Sequence, residues 1–537
     1  MSILNRRTVL LGTAAAMGSA AVSPLLASCS SSRIVAPPTT DRSKPNVLVV
    51  LVDEMRFPVW FPLQERLDAL LPNIARIRKN AVSFERHYTA ANVCTAARSA
   101  LVTGLYSHQT GCQLVSRSTL SPKFPTWGSM LRERGYQCYW YGKWHLGHIS
   151  DTKPQALQAY GFDGGTFPSP DGAPGDGLAY DGRIADQFVN WFHDNADKAP
   201  WCTTVSLVNP HDIMFWPKWQ SPQPIPKFLA TLPGNFETPS QMRQRAKPRA
   251  QLNQIDAMQR SSGVMPYSGR DMATQWVQYL DLYLWLQQQV DAQIGKLLDA
   301  LATRPEIDAN TVVVFTADHG EYGGSHGMRA KGSGLYEENI RIPLYIRDPR
   351  RVLTPDPGNT RSQLTSSVDV APLILTIATG DNQWRSDHRY QHLTSRADLA
   401  GICHTQGAQR TQGRLWIAHT TDEIDGNHTS NAPNHIVGVR TPTAKAGLYS
   451  HWKTGTTNID TTAEQDHEFY DYTTVDGRLE ITHQNQRNPK ARELQDLLKN
   501  TVLPDEVNRA LPNYLKTAQD EGMADLITAT TYKSHLY

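Results

Sequence analysis

The chain has 537 residues, of which 39% are hydrophobic and 19% charged, with a formal net charge of +2. That length predicts roughly two to four domains, and the composition is ordinary for a globular protein. The near-neutral balance gives no polyelectrolyte signal and excludes nucleic acid as an expected partner.

The first residues read as an address rather than as fold. Asn5-Arg6-Arg7-Thr8-Val9-Leu10 is a twin-arginine pattern, followed by an alanine-rich apolar stretch from Leu11 to Ala27. That stretch is too short and too weakly apolar for a lasting span, but it suits an export signal. It ends Leu26-Ala27-Ser28-Cys29, similar to a bacterial lipobox, in which Cys29 becomes the lipid-bearing first residue of the mature protein. Residues 1–29 are therefore predicted as a twin-arginine lipoprotein signal and the Ser/Pro/Thr-rich residues 30–44 as a tether. The expected partner is the twin-arginine export machinery, which carries folded cargo. The expected location is periplasmic or cell-surface, with membrane contact only through the lipid at Cys29. No later run is apolar for long enough to span a bilayer.

Asn46 to Val52 is a continuous β-branched run, the pattern of a strand buried on both faces. It ends at Asp53-Glu54. Leu71 to Lys79 reads as a helix with Pro72 near its start. Further strands are predicted at Gln137–Tyr141, Thr203–Val208, Thr311–Thr316 and Ile342–Ile346, with helices at Gln275–Leu301 and Val368–Ala378. Trp216 to Arg270 shows no core pattern and is expected to shape specificity or merely decorate the surface. Strands alternating with helices predict an α/β fold: a large, mostly parallel central sheet flanked by helices, over residues 45–380. Beyond it, strand-like pieces at Arg414–His419, Ile436–Val439 and Phe469–Tyr472 predict a smaller antiparallel-sheet subdomain over 381–537. Helices are expected there at Leu494–Asn500 and Pro504–Gln519. Cys112, Cys138, Cys202 and Cys403 have no zinc or CxxC spacing and read as buried free thiols.

The polar residues fall in a pattern. Asp53, Lys143 with His145, His211, and Asp318 with His319 each follow a predicted strand. The C-terminal ends of strands are where open α/β sheets bind ligands, so these residues predict one shared site.

Cys94-Thr95-Ala96-Ala97-Arg98 followed by Leu101-Val102-Thr103-Gly104 resembles the formylglycine signature of the sulfatase family, within the alkaline-phosphatase-like superfamily. Gly142-Lys143-Trp144-His145 resembles that family's second signature. Asp318-His319-Gly320, Lys331-Gly332 and Arg341-Ile342-Pro343-Leu344 resemble a third block. Gly438-Val439-Arg440 and Glu468-Phe469-Tyr470-Asp471 resemble the C-terminal subdomain. Three departures stand out: Ala96 replaces the usual proline, Asp53-Glu54 replaces the usual paired aspartates after the first strand, and Asp318-His319 replaces Asp-Asn, as in a branch similar to choline sulfatases and phosphonate monoester hydrolases.

The resemblance implies that Cys94 is converted to formylglycine by a formylglycine-generating enzyme before export, and that its hydrated gem-diol attacks the sulfur of a small-molecule or carbohydrate sulfate ester. It implies one divalent metal, with Ca²⁺ ranked before Mg²⁺ or Mn²⁺. Asp53, Asp318 and His319 would hold it, with Glu54 as a ligand or a group just behind. Arg98 is expected to hold the diol, and Lys143 and Lys331 the sulfate oxygens. His145 would take the diol proton and His211 would protonate the leaving oxygen, or the reverse. Two further readings stand beside this one. The first is a phosphonate monoester or phosphodiester hydrolase on the same scaffold. The second is an inactive sulfatase-like lipoprotein that binds sulfated ligands, supported by Ala96. Arg56, His87, His108, His148 and His326 are further candidates for the pocket.

Overall fold

The computed structural model describes residues 44–59, 64–115, 118–147, 154–405, 415–422, 432–433, 435–453, 459–483 and 488–532. The twin-arginine stretch, Cys29, all but the last residue of the tether, and His148 lie outside them. In chain order the strands begin with β1 (Asn46–Val52), β2 (Val82–Phe84), β3 (His87–Tyr88), β4 (Gln137–Gly142) and β5 (Asp163–Gly164). β6 (Trp201–Leu207), β7 (Thr311–Ala317), β8 (Leu344–Arg347), β9 (Thr360–Arg361) and β10 (Thr365–Ser366) follow. The main sheet has eight strands in the order β5-β4-β6-β1-β7-β8-β2-β9, and β3 pairs with β10 beside it.

β1 lies in the interior of this sheet, parallel to β6 on one side and β7 on the other. All of its residues are buried. Alternation along the strand feeds two separate cores. Val47, Val49 and Leu51 pack with Leu101, Trp127, Trp140 and Ile374 on one face. Leu48, Val50 and Val52 pack with Ile184, Phe188, Leu284 and Ile294 on the other. Each such side chain contributes roughly 1.5–3 kcal/mol of burial energy. The second face is covered by the helices Asp176–Asn195 and Met272–Ala302, the first by Cys94–Thr103, Trp127–Arg132 and Val370–Thr379.

The fifth expected strand runs against the others. β8 is antiparallel to both β7 and β2. After β7 the chain stays at the end of the sheet where it emerged, building Asp318 to Ile340 there. It therefore re-enters from that same end, without the crossover helix that a parallel return needs.

The C-terminal sheet contains β11 (Ile417–Asp422), β12 (His435–Arg440), β13 (Ala444–Trp452), β14 (Ile459–Asp460) and β15 (Asp466–Asp471). It is antiparallel, with β13 paired to β12, β14 and β15. The sequence reading missed β13 because Ala444-Lys-Ala-Gly has low strand propensity. Gly447 is there for space: a Cβ would stand 2.7 Å from Leu335 Cδ1. The expected helix Pro504–Gln519 does not form. The chain makes a π-type helix over Leu498–Val507 and restarts in an α-helix at Lys516–Tyr532. Pro512 falls between them, where its missing N–H and its clash with the preceding residue stop a helix. The Trp216–Arg270 segment is more ordered than expected, holding the helices Pro239–Gln244 and Arg249–Ser261. Gln251 donates to Tyr449 and Glu468, which ties this segment to the C-terminal sheet.

Residues Asp41–Tyr537 form one unit. Ala100 and Tyr106 share a core with Val437, Val439, Leu448 and Phe469, so the Cys94 helix and the C-terminal sheet are packed together. Cys112, Cys138, Cys202 and Cys403 are buried and form no disulfide among the described residues, as expected. No helix among the described residues is long and apolar enough to cross a membrane.

Candidate active site

Strand order assembles the site. β4, β6, β1 and β7 are consecutive in the sheet and parallel. Their C-terminal ends therefore deliver Lys143, His211, Asp53 and Asp318 side by side. Cys94 arrives as the first residue of the helix Cys94–Thr103, where the helix dipole favours an anion. That helix stops at Gly104, which takes φ +71°, and a Cβ there would meet Leu393 Cδ2 at 2.6 Å.

The Cys94 sulfur is buried at the convergence of these groups. It lies 3.2 Å from His319 Nε2, 3.8 Å from Lys143 Nζ and 4.0 Å from Asp53 Oδ1. The His145 and His211 side chains also lie against it. Burial pushes the Cys94 thiol up, but Lys143, Lys331 and His319 outweigh it and hold it well below its ordinary value. Asp53 is likewise held far below the usual carboxylate range, against burial and the Cys94 charge, by Lys143, His211 and Lys331. Lys143 Nζ is 2.7 Å from Asp53 Oδ2.

Arg98 is placed differently from the sequence expectation. Its Nε donates to Asp318 Oδ2 at 2.8 Å and its Nη2 to Asp53 Oδ2 at 3.1 Å. Its Nη1 donates to the Lys143 carbonyl at 2.8 Å and to Ser206 Oγ at 2.9 Å. The guanidinium fixes the two aspartates, which are its immediate neighbours, and its charge also acts on the residue-94 side chain.

Asp53, Cys94, Asp318 and His319 each offer a ligand atom within 4.8 Å of the others. His319 Nδ1 donates to the Gly320 carbonyl at 3.1 Å, which leaves Nε2 as the lone-pair atom facing the sulfur. Two carboxylates and one imidazole nitrogen fit a divalent cation. Burial lowers the His319 pKa, but Asp318 outweighs it and the net direction is up. Glu54 stands behind this group. Its Oε2 accepts from Lys331 Nζ at 2.7 Å, and its carboxyl lies beside that of Glu321. Burial raises Glu54 well above its usual value, with Lys331 opposing and Glu321 adding to the shift. Lys331 is thus engaged with Glu54, and lies 4.0 Å from Asp53 Oδ1.

Burial, Lys331 and Lys143 together depress His211 to about 3. Its Nδ1 and that of His145 are buried without a hydrogen-bond partner among the described residues. The loop before the helix Asp176–Asn195 closes over both Lys143 and His211: a Cβ on Gly172 would lie 2.7 Å from His211 Cε1 and 2.8 Å from Lys143 Nζ. Glu54 and His145 hold positive φ angles of 61° and 54°, strain that concentrates at functional sites.

Sequence reasoning missed Ser206, Glu321, Asp181 and Asp212. Asp181 accepts from the Val208 and Asn209 amides, and Asp212 from those of Gly175, Gly177 and Leu178, so together they set the His211 loop. Adjacency to His211 and to Asp318-His319-Gly320 was the available signal for Asp212 and Glu321. The remaining candidates are used elsewhere. Arg56 donates to the Tyr322 carbonyl, His87 bonds Thr365, His108 bonds Asn508, and His326 bonds Glu237.

This set of strand-end carboxylates, lysines and imidazoles around a helix-capping cysteine has a known counterpart. Residues 45–380 match the Sulfatase family, and the chain belongs to that family. It is 27% identical over 336 residues to the uncharacterized sulfatase YidJ of Escherichia coli (strain K12), covering 57% of this chain and 62% of that protein. It is 26% identical over 410 residues to an N-acetylglucosamine-6-O-sulfatase of Bacteroides thetaiotaomicron, covering 66% and 70%. The solved structure of a 2-O GAG sulfatase superposes with a TM-score of 0.63 at 19% identity, over 89% of this chain and 93% of that one. The fold is therefore the alkaline-phosphatase-like one expected from the sequence.

Proposed function

We propose that the protein hydrolyses sulfate monoesters, with a formylglycine made from Cys94 as nucleophile. The observation that carries this is the placement of the Cys94 side chain at a helix N-terminus, within 4.0 Å of Asp53, Lys143 and His319. Asp53, Asp318 and His319 would hold a divalent cation, Ca²⁺ before Mg²⁺ or Mn²⁺. When bound, it lowers the pKa of the nucleophile and offsets the sulfate charge.

The chain's own groups do the rest. Hydrated formylglycine carries two hydroxyls on one carbon. One hydroxyl passes its proton to the neutral His211 as its oxygen attacks sulfur and the bond from sulfur to the ester oxygen breaks, and His211 hands that proton on to the departing alcohol. The second hydroxyl gives its proton to His145, the carbon–oxygen bond to the sulfate breaks, and the aldehyde re-forms. Lys143 and Lys331 flank the position of the sulfate oxygens. Arg98 keeps Asp53 and Asp318 in register throughout.

The names of the relatives support a sulfated carbohydrate as substrate. The first residues support export through the twin-arginine route after modification by a formylglycine-generating enzyme, with the chain held at Cys29 by lipid. The test is peptide mass across Ala91 to Arg98 in natively produced protein, with hydrazide trapping, beside release of sulfate from an O-sulfated sugar and hydrolysis of a phosphonate monoester. An aldehyde with sulfate release supports the proposal. Faster phosphonate cleavage would transfer it to the second reading, and an alkylatable thiol to the binding-protein reading.

A further inference from the structure

Away from Cys94, a second cluster of ligating side chains is built where three parts of the chain meet. His108 lies in the short helix Ser107–Thr110, Asp422 ends β11, and His435 begins β12 directly opposite it. One ligating atom of each side chain lies within 4.8 Å of the others. All three are buried, His108 being 8% exposed, Asp422 4% and His435 0%.

Their hydrogen bonds leave a surplus of one kind. His108 Nδ1 donates to Asn508 Oδ1 at 2.8 Å, and His435 Nδ1 donates to Asp422 Oδ1 at 2.8 Å. Each imidazole is thereby fixed with its free lone pair on Nε2. Trp452 Nε1 also donates to Asp422 Oδ1, at 2.6 Å, and its ring stacks on His435 with centroids 3.9 Å apart. What remains is His108 Nε2, His435 Nε2 and Asp422 Oδ2, each buried and each without a partner among the described residues. All three are acceptors in this tautomeric state, and buried acceptors call for an electropositive guest. A carboxylate on the far nitrogen of a histidine is the arrangement that orients an imidazole toward a metal.

We propose that His108, Asp422 and His435 form a binding site for a borderline first-row divalent cation of the Zn²⁺ type, independent of the reaction at Cys94. His108 and His435 would ligate the ion through Nε2, with Asp422 orienting His435 from its far nitrogen, and imidazole nitrogens select such ions over Ca²⁺, which prefers an all-oxygen shell. The bound ion would clamp the segment after the Cys94 helix to the C-terminal sheet.

The experiment uses the full chain, stripped with chelator, saturated with Ca²⁺ and then titrated with Zn²⁺. One equivalent of Zn²⁺ should bind, and crystals of the same material should show an anomalous peak at the zinc edge between His108 and His435. His435→Gln should weaken that binding about 100-fold, leaving Ca²⁺ binding and the circular dichroism unchanged. No zinc binding beyond Ca²⁺ saturation overturns the proposal, as does an anomalous peak only beside Asp53 and Asp318. The wild-type crystal measurement decides the matter even where the variant does not fold.

Discussion

Arg98→Lys separates two roles that the sequence alone merges. The arginine donates four hydrogen bonds of 2.8–3.1 Å, two to the carboxylates of Asp318 and Asp53, one to the Lys143 carbonyl and one to Ser206. A lysine keeps the charge, but its point-like ammonium cannot span both aspartates. Breaking a fully buried ion cluster costs about 3–5 kcal/mol, and retention of the charge places this variant near the lower figure. About 3 kcal/mol released into the carboxylate pair corresponds to roughly 150-fold weaker cation binding. Calorimetric Ca²⁺ titration of the wild-type and variant proteins, beside kcat and the denaturant midpoint, reads all three effects. The expected result is a weakened Kd together with a lowered midpoint. A lowered kcat with unchanged Kd and midpoint would show that Arg98 acts on the nucleophile itself, and the positioning argument would fall.

Three other outcomes follow from the same geometry. Cys94→Ser should release at most one equivalent of alcohol per chain, because a serine ester has no second hydroxyl to expel sulfate; steady turnover would remove formylglycine from the mechanism. His211→Asn should slow esters of ordinary sugar alcohols by roughly 10²–10⁴-fold and 4-nitrophenyl esters less, because their leaving group needs no proton; equal losses on both would end its role as the acid. Burial holds His87 and His392 at about 3 in the folded protein, below the ordinary value near 6.5 that the unfolded chain regains. Unfolding below pH 6.5 therefore takes up protons, and stability is full at neutral pH and falls with pH until the folded values are reached, at up to about 1.4 kcal/mol per unit for each histidine. His392→Gln should make the denaturation midpoint less steep with pH by one proton, and an unchanged slope would count against this linkage.

The strand-end residues were legible because β1 and β7 are unbroken apolar runs, and a run that must be buried on both faces has few other places to go. Asp53 and Asp318 followed from that rule alone. What each side chain grips was not legible. Helical spacing put Arg98 one turn from Cys94 but could not rank the sulfur against two carboxylates contributed by distant strands. Glu54 read as a ligand or a group just behind Asp53, and its positive φ turns it to Lys331 and Glu321, a conformation no pattern of neighbours encodes. β13 escaped notice because its residues are chosen to clear Leu335 rather than to favour a strand.

The register of β1 also dictates when the site can come into being. Val47 aligns with Cys202 on one side and Val312 on the other. The ribosome makes β1 early, but its two partners emerge much later, and Asp53 stays without Arg98's second carboxylate until Asp318 has been made. Most of the loop-closure entropy must be met before these pairings return anything, so the central strand is among the last to settle although it is among the first synthesised. Cys94 is accessible for all of that interval and enclosed afterwards, which makes the time between its synthesis and that of β7 the period in which the cell can reach it.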